Sequence, residues 1–204
     1  MEPEIYKGGS KWMFYVKHSN RKNVDTIEFK SFDERLENYQ IISVWKISFK
    51  IDSGNIGKKI VESTTGIVER HSFNFFSIFG LFEPKIWIHP PRMQYMRLTE
   101  MVPFPYVELP AEVGDEYDWE LTPKEGWGEL KGKTVTGKIT VDKKIFCGNK
   151  AVQDSCYVLN AIGKSDIGDF KGKYYFSNKK GFVYFYYDFN DYTVEIFPFE
   201  IVQN

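Results

Sequence analysis

The chain reads as an all-β protein, mainly antiparallel, and three observations predict this. Val44 to Ile51 alternates with period two: Trp45, Ile47, Phe49 and Ile51 share one face, and Lys46, Ser48 and Lys50 share the other. That is the pattern of a sheet wet on one side. Aromatic residues make up 18% of the 204 positions, mostly Phe and Tyr, which fit a pleated, half-buried surface. Finally, Lys173 to Val202 consists of three aromatic runs broken at Ser177-Asn178-Lys179-Lys180-Gly181 and at Asn190-Asp191. Both breaks are turn chemistry, so the chain closes in an antiparallel meander. The expected architecture is a curved sheet or half-barrel of roughly ten strands, with one short helix and a long Pro-rich cover segment. The length suits a single β-rich domain over residues 1–204.

The elements follow in order. Lys11 to Val16 is a first aromatic strand, and Asn23 to Lys30 alternates after it. Ser31-Phe32-Asp33-Glu34 has the form of a capping box, with Phe32, Leu36 and Tyr39 at helical spacing, and predicts the one short helix. Val44 to Ile51 ends at the turn Asp52-Ser53-Gly54-Asn55. Further strands are expected at Lys58 to Thr64, Gly66 to Phe76, Lys85 to His89, Tyr117 to Thr122, Lys133 to Phe146 and Cys156 to Ile162, before the three terminal runs. Pro84 to Pro123 carries Pro90-Pro91, Pro103, Pro105 and Pro110, which forbid a central strand. Trp87, Met93, Tyr95, Met96, Leu98, Phe104, Tyr106 and Leu109 give this segment much to bury, so it is expected to cross over the sheet and not to link two domains.

Composition excludes several classes. Net charge is −1, with no basic excess to neutralise phosphates, so nucleic acid is not an expected partner. No run approaches the ~20 apolar residues of a transmembrane helix. Met1-Glu2-Pro3-Glu4 has no basic or apolar leader region, as a mature N-terminus with an added Met also would not. Cys147 and Cys156 flank an expected hairpin loop, which brings them near one another. Two readings stand side by side there: a disulfide, which belongs to an oxidising compartment, or two thiols packed as small hydrophobes.

Candidate chemistry is sparse. His18 lies in a polar turn and His71 in a strand, and neither belongs to a hydrolase elbow or zincin motif. His89-Pro90-Pro91-Arg92, with Glu100 downstream, has a functional reading as a rigid wall, where Arg92 holds an acid group at the mouth of a cleft. Its structural reading is an edge strand stopped by prolines. The acidic string Glu112 to Glu120 resembles a calcium loop only in charge, and its alternation is that of a solvated strand. Gly163-Lys164-Ser165 lacks the first glycine of a phosphate-binding loop. On the central terminal run, Val183, Phe185, Tyr187 and Phe189 are expected to face the core, and Phe182, Tyr184, Tyr186 and Asp188 the opposite side. A Tyr-rich face of that kind holds a ligand or is covered by a second layer.

His89-Pro90-Pro91-Arg92 with Pro103-Phe104-Pro105, then Cys156-Tyr157-Val158-Leu159-Asn160-Ala161, then Tyr175-Phe176 and Gly181-Phe182-Val183 ahead of Tyr187, resemble a group of β-rich bacterial envelope proteins, often lipoproteins. The resemblance covers about residues 84–202 and implies kinship with the lipoprotein-carrier half-barrel, whose concave face takes acyl chains. It carries over no catalytic residue. The chain departs from the group in having no lipobox cysteine near its start and in having Cys147.

The expected function is therefore that of a non-enzymatic envelope protein, periplasmic or outer-membrane-associated, with a cytoplasmic location as the alternative. It binds an apolar, lipid-like molecule or a protein partner in the sheet's concavity, with Phe182, Tyr184, Tyr186, His89 and Arg92 as binding residues and without metal or cofactor. The alternatives are a structural or assembly protein with a filled core, and a hydrolase with dispersed acids.

Overall fold

The computed structural model describes residues 3–35, 40–50, 59–63, 69–72, 85–91, 94–124, 127–148 and 151–202. Its main element is an eleven-stranded antiparallel sheet in two meanders. The first runs through β1 (Lys11–His18), β2 (Asp25–Arg35), β3 (Gln40–Lys50), β4 (Lys59–Ser63) and β5 (Glu69–Ser72), with β4 and β5 both pairing β3. A two-stranded hairpin follows, β6 (Lys85–Trp87) with β7 (Tyr106–Glu108). The second meander runs through β8 (Glu116–Leu121), β9 (Val135–Gly148), β10 (Gln153–Ser165), β11 (Gly168–Ser177), β12 (Gly181–Asp188) and β13 (Thr193–Val202).

The last strand pairs with the first. β13 and β1 lie antiparallel from Lys11 opposite Val202 to His18 opposite Val194, and this pair fuses the two meanders into one sheet. Pro198 is tolerated because β12 leaves β13 after the Phe185–Ile196 pair, so the missing amide removes no bond to β12. The register with β1 shifts at the same place, between Met13 and Phe14. Among the described residues no closed barrel forms, and β8 and the β4–β5 side end the sheet.

One face of the sheet is the core. Trp12, Phe14, Val16, Ile27, Phe29, Trp45, Ile47, Tyr174, Phe185, Tyr187 and Ile196 are buried in one cluster. The alternation of β3 is as its sequence predicts, with Trp45 and Ile47 fully buried. Each such side chain contributes about 1.5–3 kcal/mol by leaving water.

The Pro-rich segment is the lid on this face. Ile86, Ile88, Met96, Met101, Val102 and Val107 join the same cluster. The segment reaches both meanders: Trp45 of β3 donates its indole N–H to the His89 carbonyl at 2.9 Å, and Tyr174 of β11 donates to the Pro103 carbonyl at 2.6 Å. Its path is made possible by missing side chains below it. A Cβ on Gly163 would stand 2.8 Å from the Met101 carbonyl oxygen, one on Gly137 2.5 Å from Pro103 Cγ, and one on Gly172 2.9 Å from Val102 Cγ1. Gly137 and Gly163 are register partners on β9 and β10, so together they open a trench for the 101–103 backbone.

One expectation needs correction. Ser31 does not cap a helix, because β2 continues through Arg35. The Ser31 hydroxyl donates to the Ile5 carbonyl at 2.6 Å, and its amide donates to the Ser10 carbonyl at 3.0 Å. The groups a helix cap would use are committed to the chain's first residues, and a register shift between Ser31 and Arg35 absorbs the irregular stretch. Leu36 and Tyr39 lie outside the described residues. The helices described are short 3-10 segments at Glu4–Tyr6, Gln94–Met101 and Gly128–Leu130, and among the described residues none is long and apolar enough to cross a membrane.

Candidate functional site

β12 does not alternate cleanly. Its register against β11 slips between Tyr175 and Phe176: Tyr175 faces Tyr184, but Phe176 faces Phe182, so Val183 is the extra residue of a bulge. The bulge swings Phe182 to the core side, where it is fully buried beside Phe176, with ring centroids 5.0 Å apart. The expectation that Phe182 shares a face with Tyr184 and Tyr186 is thus corrected. Tyr184, Tyr186 and Asp188 remain half-buried on the far side.

That far side, opposite the lid, is the open face. Tyr184 stacks on Tyr175 at 4.4 Å and donates its hydroxyl to Glu195 at 2.9 Å. Burial first, and the Glu195 carboxylate second, push its phenol well above the ordinary tyrosine range. Next along the sheet, Tyr15 of β1 stacks on Phe199 at 4.1 Å and packs against Phe197 at 5.6 Å, and the Lys17 ammonium sits 4.8 Å over the Phe197 ring. The open face of β11, β12, β13 and β1 therefore carries a row of partly wet rings. Phe197 and Phe199 were legible: they share the parity of the half-buried Glu195, opposite to Val194 and Ile196.

His89 and Glu100 are brought together. His89 Nδ1 lies 3.3 Å from Glu100 Oε1, under the rings of Phe104 and Trp127 at 4.7 and 6.4 Å. The Glu100 side chain is 2% exposed and that of His89 15%, so the pair belongs to the packed underside of the lid and not to the wall of a cleft. Thr99 donates to the Pro91 carbonyl at 2.8 Å and holds the turn between them. Arg92 lies outside the described residues.

Two surface clefts have opposite charge. The larger, about 630 Å³, lies between the β6–β7 hairpin and β8 and is lined by Lys85, Glu108, Glu112, Asp115, Glu116 and Asp118 with Tyr106 and Tyr117. Three of its acids are engaged locally. Glu108 pairs with Lys85 at 2.9 Å and with the Tyr106 hydroxyl, Glu116 pairs with Lys138 at 2.7 Å, and Asp115 accepts the Glu112 amide at 2.8 Å. Burial raises the Glu108 carboxyl, but Tyr106 and Lys85 outweigh it and the net shift is downward. Among the described residues no group of three or more His, Cys, Asp or Glu could hold a metal ion.

The smaller cleft, about 360 Å³, is lined by Lys17, His18, Ser19, Arg21, Lys22, Asn23, Val24, Tyr186, Thr193 and Glu195. Sequence reasoning missed it apart from Tyr186, since it joins the β1–β2 turn to strands over 160 positions away. His18 is not merely a turn residue: its ring stacks on Tyr192 at 4.6 Å and meets Tyr95 edge-on at 4.8 Å. Burial first, and Arg21 second, lower its pKa, with Asp25 opposing. His71 pairs with Ile41 through β5 and β3.

Cys147 and Cys156 sit diagonally across the β9–β10 hairpin, Cys147 opposite Asp154 and Cys156 opposite Ile145. Their Cα atoms are 6.0 Å apart and their sulfurs are joined.

No protein-family model matches the chain, and no curated protein matches its sequence. Solved structures do resemble it. A candidate lipoprotein from Parabacteroides distasonis superposes with a TM-score of 0.54 at 10% identity, over 98% of this chain and 97% of that one. A candidate exported protein with a YmcC-like fold from Bacteroides fragilis gives a TM-score of 0.46 at 9% identity, over 98% of both chains. The first likeness establishes a shared fold over nearly the whole chain.

Proposed function

We propose that the chain is one β domain of a non-enzymatic bacterial envelope protein, periplasmic or attached to the outer membrane, that binds an apolar, lipid-like ligand on the open face of its sheet. The observation that carries this reading is the contrast between the two faces. The covered face is occupied by the protein's own lid, from Ile86 to Val107. The open face displays Tyr175, Tyr184, Tyr186, Phe197, Phe199 and Tyr15 in partial contact with water. Rings in such a row offer apolar area with little conformational entropy to lose. The expected binding site in a concavity therefore moves to Tyr184 and Tyr186, and away from Phe182 and His89, which are packed.

The envelope location draws support from the fold shared with a candidate lipoprotein and from the Cys147–Cys156 bond, which persists in oxidising compartments. A hydrolase reading gains little from His89 and Glu100, because the Glu100 carboxylate is 2% exposed under the lid.

The test is a titration with a fluorescent fatty-acid analogue, beside native mass spectrometry of protein purified from a bacterial envelope fraction. Saturable binding, weakened in Tyr184→Ser and Tyr186→Ser, supports the reading. Absence of binding and of co-purified lipid favours the second reading, a structural or assembly protein with a filled core.

A further inference from the structure

The smaller cleft concentrates positive charge in a chain whose net charge is −1. Lys17, Arg21 and Lys22 line it together with the carboxylate of Glu195, and the buried Asp25 stands behind Arg21. The Glu195 carboxylate already accepts the Tyr184 hydroxyl at 2.9 Å and lies 3.9 Å from Lys17, at the outer limit of an ion pair. Electrostatic attraction in such a cleft favours an incoming anion.

Arg21 is positioned by the fold. Its Nη1 is 3.1 Å from Asp25 Oδ2, and Asp25 is 1% exposed. The Tyr95 hydroxyl donates to the same oxygen at 2.9 Å, and the guanidinium lies 4.9 Å over the Tyr95 ring. A guanidinium has five N–H donors in a planar fork, and its contacts with Asp25 and Tyr95 orient that fork. The cleft floor is fixed as well. Ser19 donates its amide to the Thr193 carbonyl at 3.0 Å and accepts the Thr193 amide at its hydroxyl at 2.9 Å, which ties the β1–β2 turn to β13.

We infer that this cleft is a binding site for the phosphate group of an anionic ligand, with Lys17 and Lys22 as counter-charges, Arg21 as the oriented fork and Tyr186 as the wall. Set against Glu195 and the buried Asp25, the three cations still leave the cleft with a net positive charge, and Arg and Lys both bind phosphate well. The inference rests on the open-face reading, because Tyr186 belongs to both features: the acid end enters the cleft, and the apolar remainder lies along Tyr184 and Phe197.

Inorganic phosphate titrated into the full chain at constant ionic strength, followed by amide NMR, tests the site. Saturable shifts are expected at Ser19, Arg21, Lys22 and Thr193. The double variant Lys17→Gln/Lys22→Gln, altered at exposed positions, is expected to weaken binding about fivefold or more. Arg21→Lys keeps the charge beside Asp25 and is expected to weaken it through loss of the fork alone. No saturable shift, or a titration unchanged in the double variant, overturns the inference.

Vesicles then separate the sources. Sedimentation with phosphatidylglycerol but not phosphatidylcholine vesicles, lost in the double variant, identifies a lipid headgroup. Phosphate binding without sedimentation identifies a soluble phosphate ester. Absence of phosphate binding to the unaltered chain, while the fatty-acid analogue still binds at Tyr184, removes this inference and leaves the open-face reading standing.

Discussion

The hydroxyl of Tyr174 donates to the carbonyl of Pro103 at 2.6 Å, joining β11 to a segment 71 positions earlier. Both residues are buried, so the Pro103 carbonyl is shielded from water and takes this hydroxyl as donor. Tyr174→Phe leaves the carbonyl without this donor and is expected to cost about 1–3 kcal/mol. Urea denaturation measures it. Faster hydrogen exchange at Val102 is the local signature that the lid has loosened.

The trench under the lid gives a sharper prediction, because it depends on an absent side chain. Gly163→Ala puts a Cβ 2.8 Å from the Met101 carbonyl oxygen and 3.1 Å from Pro103 Cδ. Backbone cannot yield as a flexible side chain does, so overpacking is expected to cost about 1–3 kcal/mol. The denaturation midpoint should fall, with amide shifts concentrated at residues 101–103. A neutral substitution would mean that the lid does not lie against β10.

The Cys147–Cys156 bond spans nine positions. Unreduced protein is expected to titrate no free thiol and reduced, unfolded protein two. Cys147→Ser with Cys156→Ser should lower stability by at most about 2–3 kcal/mol, the entropy limit for so short a loop. The hairpin already holds the two strands in register, so the lower part of that range is expected.

Acid sensitivity is expected at the β11–β12 turn. Asp154 accepts the Ser177 hydroxyl at 2.5 Å and the Ser155 amide at 2.8 Å, while Ser177 accepts the amides of Lys179 and Lys180 at 3.1 and 2.9 Å. Burial raises the Asp154 carboxyl, but the hydrogen bonds and Lys179 outweigh it and the net shift is downward from 3.8. A depressed carboxyl contributes stability that is present above its ordinary value and is lost as pH falls through the lower folded one. Stability should therefore drop below about pH 4. Asp154→Asn should flatten that limb in pH-dependent denaturation curves.

Period-two alternation made most strands legible, and the prolines of residues 84–123 marked the lid. What stayed hidden was decided by contacts distant in sequence. Ser31 carries a good local helix signal, but the first residues of the chain take its hydroxyl and amide. Phe182 sits on the correct strand, yet a bulge opposite Phe176 reverses its side. No local pattern announces that β13 pairs β1, and the basic cleft exists only because it does. His89 and Glu100 stand close in sequence, but the aromatic packing around His89 that places the pair under the lid is tertiary.

Tyr174 and Tyr187 face the core under the lid, while Tyr184 and Tyr186 face the open side, the proposed ligand surface. Fluorotyrosine labelling with a soluble paramagnetic agent measures this directly by fluorine NMR. Resonances of Tyr184 and Tyr186 should broaden and should shift when the fatty-acid analogue binds, while those of Tyr174 and Tyr187 stay sharp and unmoved. Broadening of Tyr174 and Tyr187, with Tyr184 and Tyr186 protected and insensitive to ligand, would contradict the account.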